Sequence, residues 1–78
     1  MEKIKNLDDA QRFVRAWAKK WSLRIIQAEY ECDDHMVVEL SRYSVVNVTT
    51  LMELNEVFKY VLVTRIKDRL CIIPYMDI

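Results

Sequence analysis

The hydrophobic positions along this chain change their repeat several times, and each change marks an element. In residues 7–21, LDDAQRFVRAWAKKW, the side chains of Leu7, Ala10, Phe13, Val14, Trp17, Ala18 and Trp21 recur at helical spacing on one broad arc. Asp8, Arg12, Arg15 and Lys19 fall on the opposite side. Asn6 or Asp8 can cap the start, and Asp8 and Asp9 lie where the helix dipole favours negative charge. The segment is predicted to be an amphipathic helix.

From Leu23 the repeat drops to two. Ile26, Ala28, Tyr30 and Cys32 alternate with Gln27, Glu29 and Glu31, and Met36, Val38 and Leu40 alternate with Val37, Glu39 and Ser41. Two half-buried strands joined as a hairpin give this pattern, and the length of the turn decides which residues face one another. A two-residue turn would set Ala28 against Glu39. A three-residue loop of Asp33, Asp34 and His35 pairs Cys32 with Met36, Tyr30 with Val38 and Ala28 with Leu40, so the apolar faces match. The three-residue loop is therefore expected, with His35 in a left-handed position that His tolerates better than most residues.

Further along, SVVNV leads into Thr50-Leu51-Met52-Glu53, the spacing of a capping box, and predicts a second helix with Leu51, Leu54 and Phe58 facing inward. The runs YVLVTRI and LCIIPYM then flank Lys67-Asp68-Arg69 as a second hairpin. Pro74 has no N–H to give to a ladder, which predicts that the last strand lies at a sheet edge. The expected architecture is a single small α+β domain over residues 1–78, in the order α-β-β-α-β-β. Two helices pack on one face of a mostly antiparallel sheet of about four strands.

Composition narrows what such a domain can do. A chain of 78 residues with 53% apolar side chains has room for one small core, which buries roughly 60% of the surface exposed by the unfolded chain. It contains no glycine. Phosphate cradles, the nucleophile elbow and the dinucleotide fingerprint all need a backbone without Cβ at a tight turn or close approach, so none is present in its usual form. Twelve basic residues balance twelve acidic ones, unlike the strongly basic composition of dedicated nucleic-acid binders. The start, MEKIKNLDD, turns acidic where a signal peptide needs an apolar stretch, and no apolar run approaches the roughly 18 residues of a membrane span. A cytoplasmic location, no membrane partner and reduced thiols at Cys32 and Cys71 are expected.

The stretch EYECDDHMVVEL gathers five carboxylates, Cys32 and the sole histidine into twelve residues. Cys32 and His35 have zinc-like spacing, with Cys71 as a third ligand and Asp34 or Glu31 as a fourth. The expected register instead puts Cys32 on the apolar face, and no second close ligand pair follows, so the stretch reads as a polar turn with no metal and no cofactor. The same register sets Glu29 opposite Glu39 on an open, solvated face. With one histidine and no elbow, no enzyme signature is present.

Charge is unevenly spread. Residues 1–24 carry seven bases against three acids, residues 25–58 one against seven, and residues 59–78 four against two. One reading makes Arg12, Arg15, Lys19 and Arg24 a phosphate-binding face, with tyrosines stacking on bases. The other begins from the second hairpin, apolar on both sides: Tyr60, Leu62, Ile66, Leu70, Ile72 and Met76 on one, Val61, Val63, Cys71, Ile73 and Tyr75 on the other. Two helices cover only one face, so Val45, Val46 and Val48, a second copy or another protein must cover the second. The sequence thus favours a small non-enzymatic interaction protein, of the adaptor or inhibitor type that phages and mobile elements encode. Its expected partner surface is Val61, Val63, Cys71, Ile73 and Tyr75 with Glu29 and Glu39 nearby; nucleic acid is the alternative partner.

Overall fold

The computed structural model describes residues 2–77, without the side chains of Tyr30, Glu31 and Cys32. Its elements are α1 (Leu7–Lys20), β1 (Ile25–Cys32), β2 (His35–Leu40), α2 (Val48–Val57), β3 (Tyr60–Ile66) and β4 (Arg69–Tyr75). The strands form one antiparallel sheet in the order β1-β2-β4-β3; the element order and the four-stranded antiparallel sheet are as expected.

Helix α1 begins where its sequence provides a cap: the Asn6 side chain accepts the Asp9 N–H at 2.9 Å. It ends in a Schellman arrangement, in which Ser22 N–H donates to Lys19 and Leu23 N–H to Ala18. Ser22 takes the left-handed conformation there (φ 56°), a position glycine usually fills. Helix α2 starts one turn before the expected box. Asn47 accepts the Thr50 N–H at 3.1 Å, and Thr50 Oγ1 accepts the Asn47 N–H at 3.0 Å. Thr50 is itself buried, and its carbonyl accepts the indole N–H of Trp17 at 2.8 Å, tying the two helices together.

The core lies between the helices and one sheet face. Ala10, Val14, Trp17 and Ala18 of α1 and Leu54 and Val57 of α2, with Phe58 after it, pack over Met36, Val38, Leu40 and Ile72. Burial alternates along β2 as expected, with Met36, Val38 and Leu40 inward.

Both hairpins differ from the expected register, because both turns have two residues. Cys32 pairs with His35 across Asp33 and Asp34, so His35 begins β2 and is not part of the loop. β1 then takes up one extra residue between Glu29 and Cys32 and another between Ile25 and Gln27. The first of these bulges returns Ala28 to the core side opposite Val38, so the apolar match is made by a bulge and not by a longer loop. The expected partners of Tyr30 and Cys32 lie, as side chains, outside the described residues.

In the second hairpin Ile66 pairs with Arg69 across Lys67 and Asp68, both left-handed (φ 51° and 63°), the conformation of a type I′ turn. A slip of one residue moves every side chain of a strand to the other face. Accordingly Val61 and Val63 share the helix side with Ile72 and Pro74, while Tyr60, Leu62, Thr64 and Ile66 share the open side with Cys71, Ile73 and Tyr75.

Pro74 also departs from expectation, since β4 is an interior strand between β2 and β3 and Pro74 is buried. Tyr75 turns its carbonyl toward Lys59, and Met76 sends its N–H to Asp34. Alternation therefore aims the imino nitrogen of Pro74 at β2, where the register runs from His35↔Tyr75 to Val38↔Ile72 without a Met36↔Pro74 pair. The sheet accommodates the proline by interrupting its central ladder between His35↔Tyr75 and Val38↔Ile72.

Candidate functional site

The sheet face turned away from the helices is built by the other half of each strand's alternation. Across it, His35 of β2, Tyr75 of β4 and Tyr60 of β3 form a row of three rings. His35 stacks on Tyr75 at 4.6 Å between centroids, and Tyr60 on Tyr75 at 4.4 Å, both near parallel. Asp34 holds the histidine ring from the turn, with its carboxylate 2.8 Å from Nδ1.

Below the rings lie Val37, Ile73 and Leu62, and below those Glu39, Cys71 and Thr64. Arg69 approaches Glu39 at 3.7 Å, and with Glu29 and Ile66 they border a hollow of about 130 Å³. Gln27 donates to Glu29 at 2.9 Å. The face is thus apolar and aromatic toward β3 and β4, and acidic toward β1.

No residue of this chain covers it among those described. Val45 ahead of α2 and Val48 in its first turn are each 73% exposed, and Val46 packs on the helix-side core, so the SVVNV segment does not fold over the open face. Tyr60, Leu62 and Ile66 remain 44–46% exposed.

No family model, curated protein or solved structure matches this chain. Its site must be read from its own geometry.

Of the expected partner residues, Ile73, Tyr75, Glu29 and Glu39 do lie on the open face. Val61 and Val63 do not: Val61 packs against the core and Val63 lies at its margin on the helix side. Cys71 points to the open face but is only 4% exposed, shielded by its neighbours. Burial, and then the Glu39 carboxylate, push its thiol pKa up. Glu29 and Glu39 are not opposite each other, since Glu29 pairs with Val37 and Gln27 with Glu39. Sequence reasoning missed His35, Val37, Tyr60, Leu62 and Ile66 as members of this face. The signal for the last three was Asp68, a residue type that accepts the left-handed conformation of a two-residue turn.

The alternative sites disperse. Cys71 pairs with Glu39 and His35 with Tyr75, four residues apart along β4, which is roughly 13 Å. Cys71 therefore cannot join His35 around one ion, and Cys32 and Glu31 lie, as side chains, outside the described residues. No three His, Cys, Asp or Glu side chains gather as donors among the described residues. Arg12 is held by Asp9 at 2.6 Å, while Arg24 lies beyond the helix. Arg24 lines a second hollow of about 450 Å³ with Arg42, Tyr43 and Arg69, in which the Glu39 and Asp68 carboxylates offset part of the basic charge. Lys19 and Arg15 are exposed on α1. Among the described residues no helix is long and apolar enough to cross a membrane.

Proposed function

We propose that this chain is a small cytoplasmic, non-enzymatic protein-interaction module, of adaptor or inhibitor type, that binds another protein through the open face of its sheet. The observation carrying this reading is the uncovered patch of Tyr60, Leu62, Ile66, Ile73 and Tyr75, bordered on one side by Glu29 and Glu39. A contiguous apolar patch rimmed by charge marks a protein contact more often than a solvated surface, and aromatic rings contribute disproportionately to such contacts. Tyr60, Tyr75 and His35 are already ordered by stacking, so little side-chain entropy is left to lose on binding.

The test is capture from nuclease-treated and untreated cell extract with the wild-type chain and Leu62→Lys. Leu62 is half exposed, so the lysine is accommodated and the melting temperature stays within a few degrees. A protein retained by the wild type after nuclease treatment and lost by Leu62→Lys is the expected result. Equal retention by both chains would overturn the assignment of this face. Nucleic acid recovered only without nuclease would transfer the function to the basic residues Arg12, Arg15, Lys19 and Arg24.

A further inference from the structure

The sheet has two edges, and they differ. β1 carries two extra residues that break its pairing, and bulges are a common means of keeping an edge strand from recruiting another. β3 pairs with β4 through seven consecutive residues without a break, and its only charge is Arg65. It has neither bulge nor proline to protect it.

The direction of its free backbone groups follows from the turn. In a two-residue hairpin the closing pair, here Ile66 and Arg69, exchanges both hydrogen bonds. Alternation then turns Tyr60, Leu62, Thr64 and Ile66 toward β4 and leaves the N–H and C=O of Val61, Val63 and Arg65 pointing outward. The exposed side chains tell the same story from both faces. Tyr60, Leu62 and Ile66 are 44–46% exposed on the open side, and Val63 is 44% exposed on the helix side. A protein lying over the open face would cover the first three and leave Val63 bare. A strand laid beside β3 shields all four.

We infer that this strand is β3 of a second copy, paired antiparallel about a two-fold axis at Val63 to give a continuous eight-stranded sheet. In that register Val63 meets its own equivalent, Leu62 meets Thr64, Tyr60 meets Ile66 and Val61 meets Arg65 of the second copy. Every outward residue enters a hydrogen-bonded pair, six bonds in all by this geometry. No like charges face each other within the strands. The two Arg65 side chains stand four residues apart, roughly 13 Å, beyond the ~8 Å Debye length at physiological salt. The dimer partly shields Tyr60, Leu62 and Ile66 at its seam and leaves His35, Val37, Ile73 and Tyr75 of each open face uncovered; it rests on the β3 edge and not on the function proposed above.

Sedimentation equilibrium over a wide concentration range tests it, with circular dichroism reporting the fold. The wild-type chain is expected to dimerise reversibly. Val63→Pro removes an outward N–H that the sheet does not use and should weaken the dimer at least about tenfold, because both bonds at the two-fold axis are lost. If Val63→Pro fails to fold, the charge pair decides: Val63→Asp and Val63→Lys should each be monomeric alone and dimerise when mixed. A monomeric wild type at all concentrations overturns the inference. So does a dimer that survives these substitutions.

Discussion

Single side chains set the pH response of this molecule. Glu53 accepts from Lys20 of α1 and, at 3.1 Å, from the indole N–H of Trp21. The Lys20 hydrogen bond, and then that of Trp21, hold its carboxyl below the ordinary carboxylate range. A folded-state pKa below the unfolded value contributes stability that is present above the unfolded value and lost as pH falls through the folded one. Wild type should therefore melt above Glu53→Gln at neutral pH and lose that lead in thermal melts as pH falls through and below the ordinary carboxylate range. A constant difference over that range would show that Glu53 acts through packing alone. Asp9 shifts in the same direction through Asn6 and then Arg12, so the acid limb reports both helix-anchoring carboxylates. These contacts were only partly legible in the sequence. Asn6 and the first-turn acids announced a cap, but nothing local links Glu53 to a tryptophan 32 residues earlier.

At the scale of elements, the absence of glycine has a measurable effect. Ser22, Lys67 and Asp68 occupy left-handed conformations, where Cβ crowds the backbone at a cost of roughly 1–2 kcal/mol each. Ser22→Gly at the end of α1 should raise stability by about 0.5–1 kcal/mol, read from the denaturant midpoint at unchanged slope. No gain would mean that the added freedom of the unfolded chain offsets the relieved crowding. The helices were legible because seven apolar positions on one arc leave α1 no other way to bury them. The strands and their two hairpins were legible, but their register was not. The first hairpin matches its apolar faces through a bulge that alternation alone does not reveal. In the second, both faces are apolar, so hydrophobic pattern places no constraint on register and the turn backbone alone decides it. That is why Val61 and Val63 were expected on the face that Tyr60, Leu62 and Ile66 occupy.

For the whole molecule, the order of elements followed from the sequence and the order of strands did not. Pro74 suggested an edge, yet its buried ring serves the core while its missing donor is set against β2. α1 contacts β1 and α2 contacts β3, the strands that follow them in the chain, while both helices bury their apolar faces over β2 and β4. Native-state amide exchange should resolve two protected groups, β1–β2 and β3–β4, that open at different denaturant concentrations. A single group exchanging only by global unfolding would show that the central ladder holds despite its interruption. The interruption has a consequence for the chain under load. Pulled from its ends, the molecule should part along the line beside Pro74 into two halves of similar length, each retaining a helix and its hairpin, before either half unravels.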